Sequence, residues 1–189
     1  MKTDPAAAPG FRRPLLFAMV AALLAGDLFT KWWAFDAVGE GAPPLPLLGD
    51  WLSVYCVRNA GGIWGFGQSL TIPLTIVRVA AVGVLLLFVK RQPAANRIGT
   101  FTLGLLLAGA LGNLYDNLSP WMPWAGDGHV RDFVMVRFAE PGWWPDFVIW
   151  LFDPFPIFNL ADSCIFCGFV LLLTGAAHLS FKPAAAAAK

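Results

Sequence analysis

Asp27, Lys31, Arg78, Asp116 and Asp162 each stand inside a long apolar run of the chain. An ionisable group near the centre of a membrane-spanning helix costs about 2.5–3.5 kcal/mol or more on insertion scales, so such groups face partners or water and mark function. Asp27 and Lys31 are spaced i, i+4, which places them on one helix face within ion-pair reach. The pair reads either as two charges entering the membrane together or as wall residues that hold a neighbouring loop or a substrate backbone. Arg78, mid-helix and without an evident carboxylate partner, reads as a snorkelling side chain or one that meets a helix-end carbonyl. His129 and His178 are the only histidines, and H-E-x-x-H, G-x-S-x-G and a Gly-rich phosphate loop followed by Lys are all missing. A metal site and a Ser/His pair therefore lack support, and no cofactor is expected. Carboxylate is what remains in quantity. Two aspartates sharing one proton can activate water with one group and protonate a leaving group with the other, because like charges about 3 Å apart cannot both ionise. Asp162, flanked by the polar Asn159 and Ser163, is one candidate member of such a dyad, and both Asp116 and Asp132 are open as the other.

The elements that must position these groups follow from composition. The 189 residues are 58% hydrophobic and 13% charged, against about 45–50% and about 25% in soluble domains, so the chain reads as a membrane protein. A net charge of +1 excludes a nucleic-acid binder, which needs clustered Lys and Arg, and the apolar fraction excludes disorder. Residues 1–189 read as a single integral-membrane domain. Segments 14–35, 70–89, 98–118 and 158–180 are long and apolar enough to span a bilayer, which takes about 20 helical residues. The expected fold is all-α, four transmembrane helices with a small extracytoplasmic β-strand element near 51–57 and an extracytoplasmic loop or lid. The outer loops are 36–69 and 119–157; the second exceeds ordinary loop length, which predicts local structure or function there. The tail 183–189 is low in complexity. Cys56, Cys164 and Cys167 are odd in number, lie outside any βαβ setting, and read as small packing residues.

Cations set the orientation. Lys2, Arg12, Arg13, Lys90, Arg91, Arg97, Lys182 and Lys189 fall on one side, whereas the other side holds only Arg58, Arg131 and Arg137, which predicts both termini in the cytoplasm. The 9 tryptophans fall on the outer side, so the outer loops are expected to lie on the bilayer surface against an amphipathic partner. Asp27, Lys31, Asp116 and Asp162 then converge on the outer third of the membrane.

These residues sit in ordered motifs that resemble the lipoprotein signal peptidases, or signal peptidase II, of bacterial membranes. Asp27-Leu28-Phe29-Thr30-Lys31 is similar to the family's D-x-x-x-K, and Asn59-Ala60-Gly61 with Gly65 to its N-x-G-x-x-F-G, with Trp64 at the Phe. Gly109-Ala110-Leu111-Gly112-Asn113-Leu114-Tyr115-Asp116 resembles G-A-L-G-N-L-x-D. Val130-Arg131-Asp132-Phe133 resembles V-x-D-F, and Phe155 to Ser163 resembles F-P-x-F-N-x-A-D-S. The resemblance implies that Asp132 and Asp162 form a catalytic aspartate dyad, and that Asp27, Lys31, Asn59, Gly61, Asn113, Asp116 and Asn159 line or brace the site. It further implies cleavage of a lipid-modified prolipoprotein just before its diacylglyceryl cysteine, in the inner membrane and toward its extracytoplasmic side, by a protein that meets membrane lipids and works as a monomer. One departure stands out: the family usually carries Arg after the helix 3 aspartate, where this chain has Asn117. Arg131 is the neighbouring candidate to supply that charge. The competing readings are a catalytically impaired paralogue, motivated by Asn117, and a small membrane transporter or binding subunit. A transporter should place polar groups through the full membrane depth.

Overall fold

A computed structural model of the protein describes residues 13–49, 51–60, 71–93, 95–124, 126–138, 142–153 and 155–179. Gly61, Trp64, Gly65 and the tail 183–189 lie outside the described residues. The apolar runs form α1 (Arg13–Ala37), α2 (Thr71–Arg91), α3 (Arg97–Leu118) and α5 (Leu160–Leu173), with a short α4 (Asp146–Phe152) in the second long loop. By length and composition α1, α2 and the stretch Arg97–Trp121 can cross a membrane, and α5 is a shorter apolar helix. α5 is shorter than its apolar run for local reasons. Asn159 caps it by accepting from Asp162 N while the Asp162 side chain accepts from Asn159 N, a reciprocal capping box. At the other end Gly175 takes φ 72°, a left-handed conformation that only glycine adopts freely and that ends helices.

α3 is the hub, buried along most of its length between α1, α2 and α5. Its glycines allow the close approach. A Cβ at Gly109 would stand 2.4 Å from Ala161 O, and one at Gly112 would stand 2.5 Å from Asp27 Oδ2. In contrast, nothing lies within 4 Å of a Cβ built on Gly83 in α2. Gly109→Ala is therefore expected to destabilise the protein by about 1–3 kcal/mol, the scale of core overpacking, and Gly83→Ala to be neutral or mildly stabilising, because alanine restricts the unfolded chain. Thermal unfolding of the detergent-solubilised variants separates the two. Outward faces are apolar: Ile76 is 64%, Phe166 69% and Leu173 84% exposed, a surface suited to hydrocarbon and too large to leave in water.

The strand expected near 51–57 is β2 (Leu52–Asn59), the centre of an antiparallel sheet ordered β1-β2-β3, with β1 (Leu45–Leu48) on one side and β3 (Val130–Val136) on the other. Pro46 occupies the edge strand, the place in a sheet that tolerates a missing N–H. β2 and β3 pair Asn59 with Val130 and Val57 with Asp132, with a bulge between Val54 and Val57. Val54, Cys56 and Phe133 are buried against Ala34 at the end of α1, which seats the sheet on the helices. The three described cysteines are free thiols; Cys56 and Cys164 are buried, in keeping with their reading as packing residues, whereas Cys167 is exposed on α5 and does not pack in the interior. The loop 119–157 does carry structure: a 3-10 turn (Ser119–Trp121), β3 and α4.

Candidate active site

Two local pairings assemble the site. After α4 the chain returns along β3: Phe133 N and Val134 N donate to Phe158 O at 3.1 and 2.8 Å, and Phe158 N donates to Val134 O at 3.1 Å. This clamp sets the first turn of α5 beside Asp132. The capping box then fixes Asn159 and Asp162 with respect to each other.

Asn159, fully buried, bridges the two aspartates. Its Nδ2 donates to Asp132 Oδ1 at 2.6 Å, its backbone N donates to Asp162 Oδ2 at 3.2 Å, and its Oδ1 accepts from Asp162 N at 2.9 Å. Asn113 Nδ2 donates to Asp162 Oδ1 at 2.7 Å, and Asn59 Nδ2 donates to Asp132 Oδ2 at 3.0 Å. An asparagine amide offers both donors and an acceptor, which suits it to holding carboxylates while relaying orientation between helices. Asn113 Oδ1 accepts from Asn159 Nδ2 at 3.2 Å and from Lys31 Nζ at 3.3 Å, so the amides and the lysine form one connected network.

Behind the aspartates lies an ionic brace. Lys31 Nζ stands 2.8 Å from Asp27 Oδ2 and 3.1 Å from Asp116 Oδ2, with Gly112 O at 3.3 Å. Asp27 Oδ1 accepts from Ala161 N at 2.8 Å, tying α1 to the start of α5. Asp116 is also held by Arg131, whose Nε and Nη2 donate to Oδ1 at 2.9 and 2.7 Å and whose backbone N donates to Oδ2 at 3.2 Å. Both alternatives for the partner of Asp162 are therefore near it, but Asp116 is taken up by Lys31 and Arg131, whereas Asp132 is held only by amides. Burial first, and the charge of Asp162 second, push the Asp132 carboxyl up to about 7, against the pull of Asn59, Asn159 and Lys31.

Asp27, Lys31, Asn59, Asn113, Asp116, Asp132, Asn159 and Asp162 all meet in this network, and Gly61 lies outside the described residues. Among the described residues no group of three or more His, Cys, Asp or Glu side chains is placed to hold a metal ion. The expectations for the arginines change. Arg131 does not stand free to replace the family's cation, since it spends its guanidinium on Asp116. Among the described residues Arg78 meets a side-chain amide and not the expected helix-end carbonyl: its Nη1 donates to Asn117 Oδ1, and Asn117 Nδ2 donates to Gly128 O at 2.6 Å. Sequence reading missed this contact because it joins two helices with no shared motif. The signal available was a substitution, Asn for Arg at 117, beside an unexplained intramembrane arginine.

Charged groups surround the C-terminal end of β2. Arg58 pairs with Glu40 at 2.9 Å and Asp127 at 3.2 Å and lies over the Phe35 ring at 5.5 Å. These partly exposed pairs contribute little to stability. Trp143 and Trp144 stack at 4.4 Å, and Phe138, Phe152, Phe155 and Phe158 follow with ring centroids 5.3–6.3 Å apart, an aromatic path from the loop of α4 to the residue preceding Asn159.

Comparison with known proteins places these features in a family context. A family model described as signal peptidase (SPase) II matches residues 19–177. The lipoprotein signal peptidase of Rhodococcus jostii (strain RHA1) is 39% identical over 163 residues, covering 86% of this chain and 72% of that protein. That of Geobacillus thermodenitrificans (strain NG80-2) is 28% identical over 165 residues, covering 86% of this chain and 89% of that one. A bacterial membrane enzyme solved by the in meso method at 2.3 Å resolution superposes with a TM-score of 0.73 at 22% identity, over 89% of this chain and 90% of the other.

Proposed function

The chain belongs to the signal peptidase II family, and from that premise we propose that it removes the signal peptide of diacylglyceryl-modified prolipoproteins, with Asp132 and Asp162 as its catalytic dyad. The observation that carries the dyad is the Asn159 bridge, which holds both carboxyls through one residue at 2.6 and 3.2 Å. In the proposed step the ionised aspartate takes a proton from water as the water oxygen bonds to the scissile carbonyl carbon. The protonated partner donates toward the carbonyl oxygen; on collapse the C–N bond breaks and a proton passes to the leaving amine. Asn113 and Asn159 orient the dyad, Asn59 holds Asp132, and Asp27, Lys31 and Asp116 brace the helices behind it. Gly61 is assigned to the same wall on the family motif alone.

Cutting before the lipidated cysteine lets the acyl chains stay in the bilayer, which agrees with a site at the helix ends that carry the sheet. The protein is proposed to be a multi-pass resident of the bacterial inner membrane, a monomer with four spans, both termini cytoplasmic and the site extracytoplasmic. The exposed Trp143, Phe147 and Trp150, at 66%, 69% and 83%, would rest among lipid headgroups and acyl chains as part of an enlarged lid. A transporter reading fits less well, because the charged network is confined to one end of the bundle.

Cleavage of a lipidated precursor in detergent, with Asp132→Asn and Asp162→Asn as controls, tests the proposal; intact precursor after incubation with the wild-type protein would overturn it. The pH profile is a further test. Asp132 at about 7 keeps one proton on the coupled dyad below neutrality. As pH rises through about 7 that proton is lost, both carboxyls ionise and the general acid disappears. The kcat/KM profile is expected to fall on its alkaline limb near pH 7. Stability moves the same way. The folded-state value lies above the ~3.9 of an exposed aspartate, so the contribution of this group is largest below that value and is lost as pH rises toward 7.

A further inference from the structure

The ionic ledger of the site closes only with a residue from α2. Asp27, Asp116 and the ionised member of the dyad are negative. Lys31 pairs with Asp27 and Asp116, and Arg131 pairs with Asp116. Lys31 also acts on Asp132 from a distance, but two cations against three negative charges leave the site one positive charge short, and among the described residues neither dyad carboxylate has a directly paired cation. Arg78 is partly buried within an apolar helix. Among the described residues Asn117 is its one hydrogen-bond partner, and no carboxylate pairs with it directly. The charges that act on it are those of Asp162, Asp132 and Asp116. An arginine stays ionised in any such setting, and a fixed charge near an incompletely solvated carboxylate acts with little screening. Asn117 is well suited to aim it, since its amide is itself anchored on Gly128 O at 2.6 Å, two residues before the β3 strand that carries Asp132.

We propose that Arg78 is a positioning residue of the active site, a cation delivered from α2 to the end of α3 at Asn117, whose fixed charge balances the ionised member of the aspartate dyad. The inference rests on the dyad assignment and extends it to a helix that contributes no other charged group there. It also assigns the substitution at position 117 a structural consequence: the asparagine serves as the rest for a guanidinium that comes from another helix.

The other charged groups around the dyad do not replace it. From α1 come Asp27 and Lys31, from α3 Asp116, from β3 Arg131 and from α5 Asp162, all paired as described. Arg58 on β2 is engaged by Glu40 and Asp127, and His129 lies against Asp127 at 3.4 Å. Removing Arg78 therefore leaves the dyad with only the pull of Lys31, which Asp27 and Asp116 share, and favours its protonated forms.

The test is a pH series of prolipoprotein cleavage for the wild type, Arg78→Gln, Arg78→Lys and the double variant Arg78→Gln/Asn117→Arg. Arg78→Gln is expected to move the profile toward higher pH by about one unit, the scale on which one nearby charge shifts a carboxyl, and to lower kcat/KM about tenfold on the acid side. Arg78→Lys should hold the profile near its wild-type position, and the double variant should return it there by supplying the cation from α3. A profile for Arg78→Gln that merely drops in amplitude, without moving, would overturn the inference and leave Arg78 a packing or anchoring residue. The same quantity is readable without catalysis. Titration of the Asp132 carboxyl carbon by ¹³C NMR in micelles should show the upward shift in Arg78→Gln, and an unmoved titration would likewise overturn the inference. Failure of the wild-type protein to cleave, with the NMR shift present, would count against the peptidase reading alone.

Discussion

Asp132→Asn and Asp162→Asn are each expected to lower kcat/KM on a lipidated precursor by about 10²–10⁴-fold, the range for loss of a positioned acid or base. The double variant should lose scarcely more than either single one, since groups acting as a unit are non-additive. The network makes the cause specific. Asp132 accepts two amide donors, from Asn159 and Asn59, and Asp162 accepts from Asn113 and from the Asn159 backbone. An asparagine at either position turns one acceptor into a donor facing a donor, so one hydrogen bond is lost while size and shape stay nearly constant. That costs about 1–3 kcal/mol, enough to lower Tm without unfolding a bundle held by α3. Steady-state cleavage and thermal unfolding on the same preparations therefore separate lost chemistry from lost fold, and normal processing by either folded variant would end the dyad assignment.

Asp162 was readable as a candidate dyad member because Asn159, Asp162 and Ser163 crowd polar groups at the start of an apolar run. The choice between Asp116 and Asp132 was not readable from spacing. What separates them is tertiary: β3 pairs with Phe158 and so carries Asp132 to the capping box, while Arg131, one residue away and on the opposite face of the strand, turns back to occupy Asp116. Family resemblance supplied that choice where residue types alone did not. Helices α1, α2 and α3 were legible to within a few residues because apolar length is itself the signal. β3 was hidden in a loop: its seven residues mix Arg131 and Asp132 with valines, and the alternation that marks a strand is broken by the site it serves. β1 was hidden by Pro46. Arg78 was visible as an anomaly, but its partner Asn117 lies on another helix, and a contact that depends on how α2 packs against α3 leaves no trace in either segment.

Lys31→Met is expected to destabilise the protein by about 3–5 kcal/mol, the cost of leaving a buried carboxylate without its counter-charge. Lys31 is 0% exposed, and its ammonium lies 2.8 Å from Asp27 and 3.1 Å from Asp116. Asp116 keeps Arg131 when the lysine is removed; among the described residues Asp27 keeps the Ala161 N–H alone, so the penalty should fall on Asp27. Adding Asp27→Asn to Lys31→Met should therefore recover much of the lost stability, whereas Arg58→Met, which breaks pairs that are roughly half exposed, should cost less than about 1 kcal/mol. Denaturant or thermal unfolding in detergent measures each. Activity should part company with stability in the rescued double variant. Lys31 Nζ donates to Asn113 Oδ1 at 3.3 Å, which helps fix the amide so that its Nδ2 faces Asp162. Without the ammonium, an inverted Asn113 would present an oxygen to a carboxylate oxygen, and the dyad would lose a donor that favours its ionised form. The stabilised double variant should therefore still cleave at least about tenfold more slowly than the wild type, a loss of about 1.4 kcal/mol of transition-state binding. Full activity in that variant would mean that Asp27 and Lys31 pair only to carry each other into the membrane, the other reading their spacing allowed.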